Sequence, residues 1–135
     1  MKKYIGLLFC TLIVQLSFGQ IGDTKAQIIS KYGKNFESLT MYNLPAMCYV
    51  REQTSKASGK HLETMFYLFQ KDGTCVVVVI FIPETEFKTW SAFMNKTHQK
   101  ISEYSWRDGN KKIAVSTITN EGKKLLQIII SKFLS

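Results

Sequence analysis

Apolar residues alternate with polar ones in short runs over most of the chain, which is the pattern of half-buried β-strands. Glycine-containing pairs, chiefly Asp72-Gly73 and Glu121-Gly122, separate these runs and predict tight turns between neighbouring strands. The predicted strands are, in chain order, 38–42, 46–53, 62–70, 74–82, 103–106, 111–119 and 123–133.

Two segments follow a helical period instead. In the first, Thr24 and Gln27 form a capping-box pair, and Gly33 is placed to end the helix. In the second, residues 84–101, apolar side chains recur every three or four positions, with acidic residues at the start and lysines toward the end. The order helix, strands, helix, strands predicts an α+β fold, with a largely antiparallel sheet of about six or seven strands and both helices packed on one face. Two helix-plus-meander units in tandem would produce this order.

The last turn also predicts how its two strands pair. A turn centred on Glu121-Gly122 sets Val115 opposite Ile128 and Ile113 opposite Ile130. One face of this hairpin is then continuously apolar, so we expect it to face the core.

The hairpin formed by the predicted strands 62–70 and 74–82 determines how far apart the two cysteines of the domain lie. Its register places Phe66 opposite Val79 and Gln70 opposite Cys75, with Cys48 near Phe66 on the far side. The two thiols would then lie beyond the roughly 7 Å Cα separation that a disulfide allows. We expect both to be free, although an even cysteine count in an exported chain also suits a disulfide.

The chain begins with the three zones of a secretory signal peptide. Lys2 and Lys3 form a positive start, residues 4–16 form an apolar block, and residues 17–19 place small side chains before a cleavage site. The apolar block has 13 residues, fewer than the about 20 that a membrane-spanning helix needs. We therefore expect export and cleavage after Gly19.

Removal of residues 1–19 leaves a single α+β domain, 20–135, which we expect to be periplasmic or secreted. It keeps 16 of the 18 basic residues against 10 acidic ones, mostly as scattered lysines. Its arginines are Arg51 and Arg107, too few for the bidentate contacts that read phosphates and bases. Nucleic acid is therefore not an expected partner. The expected contacts are an envelope protein, a second copy of the chain, or a weak attraction to an anionic membrane surface.

The sequence contains no metal-binding, nucleotide-binding or nucleophile motif of known spacing. His61 ends a polar segment, 54–60, that is predicted to be an exposed loop, and His98 flanks the long helix. Cys75 precedes a run of valines, where a thiol is unreactive. We assign no catalytic residue, no cofactor and no metal ligand, and we expect that the protein is not an enzyme.

Two apolar features carry the functional expectations. Residues 75–82 are consecutively apolar, which indicates a strand covered on both faces, by the chain itself or by an outside partner. Aromatic residues also gather on the long helix and on the strands that should face it, where a groove would suit a peptide or a small apolar ligand. The candidate groove or contact residues are Tyr67, Phe87, Trp90, Met94 and Trp106.

The segment 21–34, IGDTKAQIISKYGK, resembles the opening of small exported BamE/SmpA-like modules. These modules begin with a glycine, a capped short helix and a closing glycine before a β-meander. They usually have proline after the final glycine-x pair, where this chain has Asn35. The signal ending in FGQ and the whole layout also look like small exported proteins of Bacteroidetes-type bacteria. The resemblance implies an envelope-associated, non-enzymatic α+β module, and it carries over no functional residue.

The expected function is a binding or assembly role in the cell envelope, exerted by protein contact. The alternative is a carrier that holds a small apolar ligand or lipid in the helix–sheet groove. A secreted hydrolase is a third reading, because the absence of a motif is weak evidence. An enclosed apolar cavity would favour the carrier, and a filled core with an exposed apolar edge would favour the partner module.

Overall fold

The computed structural model describes residues 21–132, which form two helices and eight strands. The first half contains α1 (Lys25–Tyr32), β1 (Glu37–Met41), β2 (Leu44–Ser55), β3 (Gly59–Phe69) and β4 (Cys75–Pro83). The second half contains a 3-10 turn (Glu84–Glu86), α2 (Phe87–Thr97), β5 (Gln99–Ser102), β6 (Ser105–Asp108), β7 (Lys111–Asn120) and β8 (Lys123–Lys132). The signal peptide predicted over 1–19 lies outside the described residues.

All eight strands belong to one antiparallel sheet, in the order β1-β2-β3-β4-β8-β7-β6-β5. Each half of the chain is a helix followed by a four-stranded meander, and the last strands of the two halves, β4 and β8, pair at the centre. The predicted α+β class is confirmed, and the strand count exceeds the six or seven that were predicted. Among the described residues, no helix is long and apolar enough to cross a membrane.

The additional strand is β5, which the sequence assigned to the end of a helix over 84–101. The α-helix covers only Phe87–Thr97, and His98 already has extended dihedral angles, φ −131° and ψ 156°. Ile101 continued the helical spacing, yet it lies in β5 with 48% of its surface exposed. The position of Ile101 in the sequence therefore fits the spacing of a further helical turn, although the residue belongs to a short edge strand.

The segment predicted to be a loop over 54–60 is mostly strand. Strand β2 continues to Ser55 and β3 begins at Gly59, so the connection is a tight hairpin turn. Its polar residues still alternate between the two faces of the sheet, but those that face inward contact polar groups rather than the apolar core. The sequence pattern could not distinguish this arrangement from an exposed loop.

The core lies between the two helices and one face of the sheet. Helix α1 contributes Ile28, and helix α2 contributes Trp90 and Met94. All three belong to the same buried cluster, so both helices pack on the same side, as predicted. The sheet supplies alternate residues of its central strands, which include Met65, Tyr67, Val78, Ile80, Ile113, Ile128 and Ile130.

Strand pairing agrees with the predicted register in the hairpin β7–β8, where Val115 lies opposite Ile128 and Ile113 opposite Ile130. Strands β3 and β4 pair through Phe66 and Val79, also as predicted. Toward the turn, however, a β-bulge shifts the register.

The bulge places Cys75 opposite Phe69, so the predicted pairing with Gln70 is wrong by one residue. Both described cysteines are free thiols. Cys75 lies at the start of β4 and belongs to the core on the helix side. Cys48 lies on β2, where it pairs with Phe66, and β3 separates these two strands. Burial raises the pKa of the Cys75 thiol to about 12, so this thiol is unreactive near neutral pH.

Helix α1 has the predicted capping box. The Thr24 hydroxyl accepts from the Gln27 backbone N–H at 3.3 Å, and the Thr24 N–H donates to the Gln27 side chain at 2.8 Å. Gly33 ends the helix at φ 93°, a left-handed conformation that favours glycine. The buried Tyr49 hydroxyl donates to the Gly33 carbonyl at 2.7 Å and fastens this helix end to β2.

The sheet face opposite the helices, the helix-free face, has a smaller apolar cluster around Ala46, Leu68 and Val79. Met41 and Leu44, on either side of the β1–β2 turn, pack against it. The apolar run of β4 was expected to be covered on both faces, by the chain itself or by an outside partner. On the helix-free face, the β1–β2 turn provides part of this cover.

Candidate binding groove

A groove of about 750 Å³ lies between the start of α2 and the outer half of the sheet. Its floor is the inward side of the β7–β8 hairpin, with Val115, Thr117 and Leu126. Its size is within the range of about 300–1,000 Å³ that is usual for binding sites. The groove is open along one side, so it is a surface feature rather than an enclosed cavity.

The rim of the groove combines aromatic and charged side chains. The rings of Phe87 and Tyr104 pack against each other with centroids 5.8 Å apart. Glu84 and Lys88, on the 3-10 turn and the first turn of α2, add one charge of each sign. The rim can therefore offer ring faces to an apolar group and ionic contacts to polar ends.

The chain forms this rim because β4 ends beside the floor. Pro83 pairs with Leu125 of β8, and the chain then turns through the 3-10 helix onto the helix side of the sheet. The register of β7 and β8 places Thr117 opposite Leu126, so that both point into the groove.

Strand β7 has an open edge beside the groove. It pairs with β8 over its whole length, but β6 pairs only with residues 111–114. The Val115 N–H donates to the Tyr104 carbonyl at 2.9 Å, just before β6 begins. From Ser116 to Asn120, no described strand lies on that side of β7.

Polar residues hold the 3-10 turn against the hairpin β2–β3. The Ser55 hydroxyl donates to the buried Glu86 carboxylate, and the Ser58 and Thr85 hydroxyls share a hydrogen bond. The Ser58 N–H donates to Ser55 Oγ at 3.0 Å. These contacts fix the backbone of the turn that carries the groove rim.

His61 completes this polar cluster and is not exposed as predicted, because its side chain retains only 7% of its accessible surface. Its Nδ1 lies 2.8 Å from the Gly59 carbonyl and its Nε2 lies 3.0 Å from the Glu63 carboxylate. Burial alone would lower the pKa of His61, but these hydrogen bonds and the charges of Glu63 and Glu86 raise it above its ordinary value. Both ring nitrogens face acceptors, so the imidazolium fits this place best.

The cluster has the residue types of a hydrolytic triad but a different arrangement. The Ser55 hydroxyl is hydrogen-bonded to Glu86 and to the Ser58 backbone, and both ring nitrogens of His61 have other partners. Nucleophile activation needs the hydroxyl within hydrogen-bond reach of the imidazole. The geometry is that of a structural contact between the hairpin and the 3-10 turn. Among the described residues, no group of three or more His, Cys, Asp or Glu side chains is arranged to hold a metal ion.

The sequence-based candidates separate into core and groove. Tyr67, Trp90, Met94 and Trp106 are buried in the core, and only Phe87 lines the groove. The two tryptophan rings meet edge to face with centroids 5.1 Å apart. Trp90, Met94 and Trp106 occupy the space between the long helix and the sheet in which a groove was expected, whereas Tyr67 packs against Tyr32 at the end of α1.

The sequence-based candidates did not include the remaining groove residues, which are Glu84, Thr85, Lys88, Tyr104, Val115, Ser116, Thr117 and Leu126. One signal was available. The strand predicted over 103–106 is much shorter than its predicted neighbour over 111–119. A short strand beside a long one leaves part of the longer edge open.

Comparison of the chain with protein-family models, curated proteins and solved structures finds no match. The resemblance to BamE/SmpA-like modules therefore stays a prediction.

Proposed function

We propose that the chain is an exported, non-enzymatic module that binds another protein, with the groove beside α2 as its contact site. One observation carries the proposal. The space between helix and sheet is filled by Trp90, Met94 and Trp106, while the groove opens outward along the sheet. A filled core next to an open, partly apolar surface suits contact with a macromolecule.

The rim supports the same proposal. Protein interfaces combine aromatic contacts at the centre with polar groups at the edge. The groove has both kinds of group, the aromatic rings of Phe87 and Tyr104 and the charges of Glu84 and Lys88. The partner is a protein of the compartment to which the predicted signal peptide directs the chain, the periplasm or the exterior.

A second function, the carrier of a small apolar ligand or lipid, has one observation in its favour. The volume of the groove, about 750 Å³, is large enough for such a ligand. The open side and the two charged rim residues favour it less, because a carrier gains most by enclosing its apolar cargo.

Site-specific photo-crosslinking in the native cell would separate these functions. A crosslinking side chain replaces Lys88 at the rim, and in a control replaces Lys96, which is exposed near the far end of α2. We expect a defined protein adduct from position 88, none from position 96, and loss of the adduct when Tyr104→Ala is added. Recovery of a stoichiometric lipid by native mass spectrometry, without any protein adduct, would contradict the proposal and favour the carrier.

A further inference from the structure

The open edge of β7 points to the kind of segment that the groove accepts. We propose that an extended segment of the partner adds to β7 as a further antiparallel strand, in line with β6, and places one apolar side chain in the groove. This inference rests on the proposed function and specifies its contact.

The backbone of β7 is oriented for such an addition. The Val115 N–H points toward the β6 side, where it donates to Tyr104. Backbone groups in an antiparallel strand alternate between its two sides, so the N–H and C=O of Thr117 and Thr119 also point that way. The stretch from Ser116 to Asn120 is roughly 17 Å long at about 3.4 Å per residue, which is room for about five residues of a partner.

The edge also lacks the features that usually prevent strand addition. Proteins protect open edges with lysine, proline or a bulge. Residues 116–119, Ser-Thr-Ile-Thr, contain no charge and no proline, and three of the four are β-branched. Their pairing with β8 is regular throughout. This stretch therefore has a high preference for strand pairing.

The groove lies where a side chain of the added strand would point. Residues that pair across an antiparallel sheet point to the same face. Tyr104 contacts Val115 through the backbone and sends its ring toward Phe87 on the helix side. A partner residue opposite Thr117 would project to that face, next to the Tyr104 ring and above Leu126. This position favours an apolar side chain.

The flanking partner residues would meet different surroundings. Their side chains alternate to the helix-free face, away from the groove. Lys88 and Glu84 stand on the groove side, where they can contact polar groups further along the segment. The partner motif is thus an extended segment with one large apolar residue and polar neighbours, read mainly through its backbone.

The test uses a library of random octapeptides displayed on phage and selected against the chain 20–135. The selected peptide is synthesised in two N-methylated forms, one blocked at the amides that face β7 and the other at the alternate amides. We expect the first form to bind at least about tenfold more weakly than the parent and the second to bind within about threefold, because only the first loses backbone hydrogen bonds.

Two variants of the protein provide the matched pair. Thr117→Pro removes an outward N–H that has no partner strand among the described residues, and Thr117→Val changes the side chain but keeps the N–H. Circular dichroism and thermal unfolding establish that each variant is folded. We expect Thr117→Pro to weaken peptide binding about tenfold or more and Thr117→Val to change it less than about threefold. A selected peptide whose affinity is the same for both variants, or for both N-methylated forms, would overturn strand addition.

Strand addition would also be overturned if the selection enriched no peptide that reduces formation of the protein adduct at position 88. The crosslinking result at position 88 is independent of these outcomes. A protein adduct without strand addition leaves the proposed function in place with a different contact, whereas the absence of any adduct removes the proposed function itself.

Discussion

At Trp106, helix α2 is held against the outer half of the sheet by a hydrogen bond and a ring contact, and the strength of this attachment can be measured. Trp106 Nε1 donates to Asn95 Oδ1 at 2.9 Å. The Trp106 ring is buried and packs edge to face on Trp90. We expect Trp106→Ala to lower the free energy of unfolding by about 3–5 kcal/mol, because it removes a large buried ring.

The hydrogen bond alone is worth less and needs a double-mutant cycle. Asn95→Ala removes the acceptor at a cost of about 0.5–1.5 kcal/mol, but alanine also favours the helix by up to about 0.7 kcal/mol. The single substitution can therefore look nearly neutral. Combined with Trp106→Phe, which deletes the donor, the cycle cancels the propensity difference and should give a coupling energy of about 0.5–1.5 kcal/mol.

Urea unfolding provides the assay. Trp90 and Trp106 are the two tryptophans of the chain, so intrinsic fluorescence reports on this contact, and circular dichroism follows the variants that lack Trp106. Lys96→Ala, at the exposed neighbouring position on α2, is the control partner in a second cycle. A coupling energy for Asn95 no larger than that for Lys96 would refute the conclusion that this bond fastens the helix.

Three further outcomes follow from the buried polar groups and thiols. Because the folded state raises the pKa of His61, its stabilising contribution is complete below the ordinary histidine pKa of about 6.5 and is lost as the pH rises through the raised value. The difference in unfolding free energy between the wild type and His61→Gln should therefore shrink from pH 6 to pH 8, and a constant difference would contradict the assignment. Thiol titration of the denatured, unreduced chain 20–135 should find two free thiols, and finding none would show that the two cysteines are paired. In the native state, Cys75 should react far more slowly than Cys48, because burial raises the pKa of the Cys75 thiol to about 12. Tyr49→Phe should cost about 1 kcal/mol in thermal unfolding, because the Gly33 carbonyl loses its donor, and an unchanged melting temperature would show that this bond contributes little.

Much of the fold could be predicted where local chemistry alone decides it. The capping box of α1 and the pairing of Val115 with Ile128 depend on a few neighbouring residues and a turn. The pairing at Cys75 was missed by one residue because a bulge leaves no mark in the pattern of apolar residues. Strand β5 was missed because Ile101 matches both a helical and a strand position.

The site was harder to predict, since it depends on which apolar residues the fold leaves accessible. Periodicity placed Phe87, Trp90 and Met94 on one face of the helix. It could not tell that the last two fill the core and that Phe87, at the helix start, lies at the rim of the groove. The open edge of β7 depends on a difference in length between two strands, which turn spacing indicates only indirectly. The burial of His61 depends on a hairpin whose polar residues read as a loop.

Amide hydrogen exchange along β7 tests the central claim most directly. In the free protein, the outward amides of Thr117 and Thr119 should exchange fast, while those of Ser116 and Ile118, which face β8, should be protected. Addition of the selected peptide should slow exchange at Thr117 and Thr119 by at least about tenfold and leave the other two unchanged. Uniform protection along β7 in the free protein, or no slowing with the bound peptide, would contradict the account.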